Sequence, residues 1–175
     1  AEVKRLRSHS HIADVSIYAH GRDYHKVMKK KLQKLGEYIN TLCEEHSFRV
    51  FTDSAPVLEK PLAEKAGLGW IGKNSMLMNK TQGSFFFIGV IYSNLDLSEL
   101  PGEPKKVDAC GKCKACIKLC PTGAIMPGKM IDSKKCISYL TIENRGAIDL
   151  EFRDAIGTRI YGCDDCQLVC PFNNS

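Results

Sequence analysis

No apolar run in this 175-residue chain approaches the roughly 20 residues that a membrane-spanning helix needs, which excludes an α-helical membrane protein. Its first 25 residues, AEVKRLRSHSHIADVSIYAHGRDYH, have charge but no apolar centre, so they do not read as a secretory signal. The expected location is therefore cytoplasmic, with no membrane partner. Cysteine is almost missing from residues 1–100, where Cys43 stands alone. So long a cysteine-poor stretch can build its own core, which argues against a disulfide scaffold. There is no tandem repeat, apart from a pseudo-duplication among the remaining cysteines. Nor is the charge extreme: a formal +5 permits an acidic partner without demanding one. The basic cluster Lys26, Lys29, Lys30, Lys31 and Lys34 lies on one expected helix and is most simply its solvated face.

What is present is concentrated in the last third. Eight of nine cysteines fall there, as Cys110-x2-Cys113-x2-Cys116-x3-Cys120-Pro121, then Cys136, then Cys163-x2-Cys166-x3-Cys170-Pro171. This is the spacing of a protein holding two [4Fe–4S] clusters. Thiolates three residues apart wrap corners of one cubane, while the cysteine before the proline points away to the other. The crossing assigns Cys110, Cys113, Cys116 and Cys170 to one cluster, and Cys120, Cys136, Cys163 and Cys166 to the second. Zinc is the rival ligand, but structural zinc sites usually pair two C-x2-C units across a spacer. Cys43 sits on the apolar stripe of a helix and reads as a small buried hydrophobe.

Composition divides the chain near Pro101: residues 1–100 form one domain, 101–109 a linker within LSELPGEPKKVD, and 110–175 a cluster domain. Met28, Leu32, Leu35, Ile39 and Leu42 step by four and three, which predicts an amphipathic helix from Asp23, its N-cap, to about Glu45. A strand at 48–52 delivers Asp53 to its end, and a helix over 57–66 stops at Gly67. Ser75–Met78 and Ser84–Tyr92 read as a strand pair around NKTQG, the second apolar enough to be central. Short helices are expected at 112–119, 133–143 and 150–156. Asp132 would cap the middle one, so that Cys136 is offered from its first turn.

A two-cluster carrier needs only the C-terminal segment, so residues 1–100 need a purpose. The motifs GRDYHKVMKKKLQKL, DSAPVLEKPLAEKAGLGWIGKNSM, GSFFFIGVI, CGKCKACIKLCPTGAI, CISYLTIENRGAI and IGTRIYGCDDCQLVCPFN together resemble the epoxyqueuosine reductases, from about Tyr18 to Asn173. The resemblance implies an α+β architecture: part of a nitroreductase-like α/β cobalamin-binding domain, followed by a ferredoxin-like two-[4Fe–4S] domain. It also implies an oxidoreductase, acting as a monomer, that reduces epoxyqueuosine to queuosine at the wobble position of tRNA. Electrons would pass from an external ferredoxin- or flavodoxin-like donor through the clusters to cobalamin. The family's chains are about twice this length, so this chain is expected to be a fragment or a shortened product.

The same resemblance makes Asp53 the proton donor near the cobalt, a role that requires its carboxyl to hold a proton near neutral pH. By itself, an aspartate before Ser-Ala-Pro is as readily a turn or cap residue. Asp23 and His25 fall on the cobalamin and substrate pocket, or are an N-cap and a packed histidine. Ser138 would lie where the corrin meets a cluster, and Leu77 and Ile88 would contact it from the strand pair. Arg145 and Lys60 are candidate tRNA phosphate contacts, or solvated surface. Two other functions fit the cysteines: a bare two-cluster electron-transfer module, and a corrinoid reductase of the reductive dehalogenase type.

Overall fold

The computed structural model describes residues 11–43, 46–98, 104 and 107–173. Most of the segment expected to be a linker lies outside these residues, as does Glu45, the expected end of the first helix.

Among the described residues, eight short strands form four two-stranded ladders, with six α-helices between them. The first strand, β1 (Asp14–Val15), pairs in parallel with the last, β8 (Arg159–Tyr161). Helix α1 (Tyr24–Asn40) begins as expected at Asp23, whose carboxylate accepts the His25 amide at 3.0 Å. It ends five residues short of Glu45, so Cys43 lies beyond it, half-buried, with its amide on the Ile39 carbonyl. Leu35 and Leu42 do not belong to the buried stripe, being 50% and 66% exposed. Gly36 takes the inward position instead, because the Phe48 ring lies where its Cβ would be. A residue without a side chain is invisible to a count of apolar positions, which is why the expected stripe runs through Leu35 in place of Gly36, while Met28, Leu32 and Ile39 are half-buried as expected.

Strand β2 (Phe48–Phe51) carries the chain toward Asp53, and α2 (Glu59–Lys65) follows. Helix α2 closes with a Schellman motif: the amides of Gly67 and Leu68 bond the carbonyls of Glu64 and Ala63, with Gly67 at φ 75°.

The expected strand pair around NKTQG is not formed as such. Strand β4 (Leu77–Met78) pairs back onto β3 (Trp70–Ile71), and only the Asn79–Gly83 bridge spans the turn. Residues 84–89 are irregular, and β5 (Val90–Ser93) pairs antiparallel with β2 from Phe48↔Ser93 to Phe51↔Val90. Apolarity marked SFFFIGVIY for burial. It could not say that Ser84 would be held by Asn173 and Gln167 rather than by a neighbouring strand.

The cysteine-bearing part holds α3 (Ala115–Leu119), the hairpin β6 (Ile125–Met126) and β7 (Met130–Ile131), α4 (Ile137–Ile142), α5 (Arg153–Ile156) and α6 (Asp165–Leu168). Helix α4 starts later than expected. Asp132 heads a turn, accepting the Lys134 amide at 3.1 Å, and Cys136 is itself the N-cap, in extended backbone.

The two parts share one core. Trp70 is 1% exposed, packs edge-on against Phe172 at 5.0 Å and donates its indole N–H to Cys110 Sγ at 3.4 Å. Lys73 Nζ caps the carbonyls of Gly111 and Cys113 at 2.6 and 2.7 Å, and Asn74 bonds the Cys166 carbonyl at 3.3 Å. The segment β3–β4 is thus a wedge between the cysteine loops, and the division near Pro101 separates compositions without separating cores.

Candidate functional site

Three hollows follow one another along this shared core. The outer one, about 220 Å³, is lined by Cys110, Cys113, Cys116 and Cys170 together with Lys73, Met78 and Phe172. The inner one, about 270 Å³, is lined by Cys120, Cys136, Cys163 and Cys166. These are the two sets of four into which the crossing of the Cys-Pro ligands divides the cysteines. The third is an open cleft of about 510 Å³, walled by Tyr18, Tyr24, Phe85, Phe86 and Phe87 with Asp53 and Arg22. The inner hollow and the cleft share Tyr18, Met76, Ser138, Asp164 and Gln167 as common wall.

Local chemistry suits the thiols to binding a cation-rich body. Burial, reinforced by the neighbouring cysteines, pushes the Cys116, Cys166 and Cys170 thiols up from their ordinary range. Crowded thiols resist becoming several bare anions; metal ions reverse that balance. Cys110 and Cys120 already accept N–H groups, from Trp70 and from the Ala124 amide at 3.3 Å, and such bonds to sulfur tune a cluster's potential.

Asp53 stands at the end of β2 in the left-handed region, at φ 47°, a conformation that aspartate tolerates better than most residues. Three bonds hold that turn. Thr52, fully buried, donates to the Ile88 carbonyl at 2.7 Å, and the Asp53 amide donates to Glu59 Oε1 at 2.6 Å. The third is Tyr24 Oη, which donates to Asp53 Oδ2. Tyr24 is stacked between His25 at 4.0 Å and Phe87 at 4.3 Å. Burial, then the Asp53 carboxylate, push its phenol above the ordinary range, so it stays protonated and keeps donating. His25 Nε2 is 4.0 Å from the same Asp53 oxygen, and its Nδ1 is 3.0 Å from Asp23 Oδ1. That partner holds the Asp23 carboxyl below its usual range. Asp23, His25 and Asp53 therefore form one polar row that reaches the cleft at Asp53, and Ser138 lines the same cleft.

Leu77 and Ile88 stand behind the wall. Leu77 is 3% exposed next to Met76, and Ile88 follows Phe87. Arg145 is exposed in the turn after α4, and Lys60 lines the inner hollow with Nζ on the Ser75 carbonyl at 3.0 Å. Sequence reasoning missed Tyr24, the phenylalanine wall and Asp164. Tyr24 sits inside the GRDYH motif, but only the turn at Asp53 reveals its purpose. Asp164 is 2% exposed and accepts Ser16 Oγ at 2.5 Å and the Ile17 amide at 2.8 Å, fastening the segment before α1 to the cysteine loops.

Two four-thiol hollows in series are the arrangement of a double iron–sulfur protein, and an open aromatic cleft adjoins the inner hollow. In agreement, residues 109–173 match the 4Fe-4S double cluster binding domain, and residues 2–54 match the family described as epoxyqueuosine reductase QueG, DUF1730. The chain is 83% identical over 173 residues to the epoxyqueuosine reductase of Francisella cf. novicida, covering 99% of this chain and 48% of the relative. It is 55% identical over 159 residues to that of Escherichia coli, covering 91% and 41%. The solved epoxyqueuosine reductase of Streptococcus thermophilus superposes with a TM-score of 0.85 at 34% identity, covering 93% of this chain and 43% of that one. Another, solved with an epoxyqueuosine-modified tRNA-Tyr stem loop, gives 0.79 at 34% identity, covering 89% and 40%. The chain belongs to the epoxyqueuosine reductase family, and spans about half the length of the curated relatives it matches.

Proposed function

We propose that this chain supplies the electron-carrying and proton-donating centre of an enzyme that reduces epoxyqueuosine to queuosine in the tRNA anticodon. The reaction takes two electrons and two protons and releases the epoxide oxygen as water. The observation that carries the reading is the common wall: a four-cysteine hollow and an aspartate-bearing cleft meet at Ser138, Met76 and Tyr18. The double-cluster match and the modified RNA stem loop on a relative support it.

The residues fit the implied groups. Each hollow presents four cysteines around a volume suited to a polynuclear cluster. The triple spacing that ends each run in Cys-Pro fits the separate tetrahedra of zinc poorly. The open aromatic cleft suits one face of a flat macrocycle. Asp23, His25, Asp53 and Ser138 would contact a cobalamin there, with Leu77 and Ile88 supporting the wall. When bound, the clusters supply electrons singly and the corrin supplies a low-valent cobalt nucleophile.

The chain's own part in the chemistry is to place one proton. Tyr24 and His25 both address Asp53 Oδ2, which leaves Oδ1 as the oxygen to carry and deliver the proton to the departing epoxide oxygen. Phe85 and Phe87 line the cleft beside Asp53. Arg22 supplies a cation in the cleft wall; Arg145, exposed after α4, and Lys60, on the wall of the inner hollow, would meet tRNA phosphates. A tRNA substrate implies action in the cytoplasm; the reading further takes the enzyme as a monomer served by an external electron donor.

The test is anaerobic preparation of the full-length protein with iron and sulfide counts, cobalamin titration and turnover of epoxyqueuosine-containing tRNA. We expect about eight irons per chain, bound corrin and queuosine as product. Eight irons without corrin or turnover would leave an electron carrier instead. Reduction of organohalides without action on the tRNA would assign the reductive dehalogenase chemistry.

A further inference from the structure

The two cysteine runs differ in what fills their gaps. The first reads CGKCKACIKLC, with Lys112, Lys114 and Lys118 between its ligands and no acid; the second reads CDDCQLVC, with two acids and no cation. In the fold all three lysines are exposed, and Cys113, between two of them, is the exposed cysteine of the eight. Asp108, two residues before Cys110, is paired with Lys129 at 2.9 Å. At the inner hollow all four cysteines are half-buried, and that hollow shares a wall with the cleft.

We propose that an acidic one-electron carrier of the flavodoxin or ferredoxin class docks on the lysine rim around Cys113, so that electrons enter at the outer hollow and leave from the inner one. The inference rests on reading the eight cysteines as ligands of two clusters. In each encounter the carrier loses one electron and the outer cluster gains one, with no atom transferred. Two such encounters supply the two electrons of the reduction. A ring of cations around the most exposed ligand raises the encounter rate with an anionic partner and orients it so that its redox centre faces the cluster. RNA could use the same charge, but the rim surrounds the hollow that does not adjoin the cleft.

The experiment uses full-length, cluster-loaded protein and a reduced flavodoxin as probe, with cluster reduction followed by stopped-flow absorbance. In the triple variant Lys112→Glu, Lys114→Glu, Lys118→Glu, the second-order rate at low salt should fall by ~10-fold or more, and its salt dependence should vanish or invert. Iron content and reduction by dithionite should stay at the parent values, as should affinity for the tRNA. If the triple variant loads poorly, the pair Lys112→Gln, Lys114→Gln decides, with a several-fold fall expected. A control with Lys29→Glu, Lys30→Glu and Lys34→Glu, on the distant basic face of α1, should keep the parent rate. An unchanged flavodoxin rate in the rim variants would overturn the proposal, and so would an equal fall in the α1 control. Weakened tRNA binding with parent flavodoxin rates would assign the rim to RNA. Failure to bind iron in the unsubstituted protein would instead overturn the cluster reading beneath it.

Discussion

The two cysteine runs have nearly the same spacing and opposite surroundings. Cys110–Cys120 opens on exposed lysines, and is held from the core side by the Trp70 indole on Cys110 and by Lys73 on the Gly111 and Cys113 carbonyls. Cys163–Cys170 is knitted inward: Asp164 accepts Ser16 and Ile17, Asp165 pairs with Arg159 at 2.6 Å, and the Cys166 carbonyl accepts Asn74. Spacing decides what each run can hold; the residues in the gaps decide which way it faces. The outer run suits exchange with a partner, and the inner run exchange with the cleft.

The strongest way to break this comparison is to remove one thiol from each set. Cys136→Ser should empty the inner hollow alone, halving the iron to about four per chain and abolishing turnover. Cys113→Ser should do the same for the outer hollow, while leaving dithionite able to reduce what remains. Equal loss of both clusters in either variant would refute the division into two sets. Next in size is Asp53→Asn in the full-length enzyme, where turnover should fall by ~10²–10⁴ with iron and corrin contents kept, because a positioned general acid contributes about that much. A parent rate would remove Asp53 from the mechanism and leave the cleft with no named donor.

The division of the cysteines was legible in the sequence because ligand spacing is local and Cys-Pro fixes its direction. So were the N-cap at Asp23 and the stop at Gly67, both set by residues within a turn of their helix. What was not legible depends on distant partners. Strand β4 turned back to β3, and β5 found β2 more than 30 residues upstream, so the expected pair around NKTQG was lost. Leu35 looked inward by periodicity, but Phe48 needed the space that only Gly36 leaves. In the site, the motifs named Asp53. The Tyr24 bond and the left-handed turn that aims it are visible only once α1 lies beside β2.

Asp164 measures how much the inward knitting stabilises the inner run. Replacing it by Ala strands the Ser16 hydroxyl and the Ile17 amide beside the cysteine loops. Each buried polar group left unpaired costs ~1–3 kcal/mol, so for the two a loss of about 2–6 kcal/mol is expected in denaturant unfolding. Asp164→Asn should recover part of it, since its amide oxygen still accepts one of the two. Any of Lys112, Lys114 or Lys118 changed to Gln should stay within about 0.5 kcal/mol of the parent. Equal effects on the two sides would mean that the outer run is knitted as firmly as the inner.

The smallest expected effect is on the outer side and depends on pH. Asp108 is held below its usual carboxylate range, first by its bond to Lys129 and then by the Cys110 amide. Because the folded state lowers this pKa, the stabilisation is present above the unfolded value, near 4, and disappears as pH falls through the lower folded one. Asp108 is 51% exposed, so solvent screens the pair and about 0.5 kcal/mol is the expected size. Asp108→Asn should therefore lower stability slightly at pH 7 and at low salt, with the difference from the parent closing toward pH 3. A difference that survives at pH 3 or in strong salt would show that the carboxylate acts through packing rather than charge. The outer face would then be less open than its lysines imply.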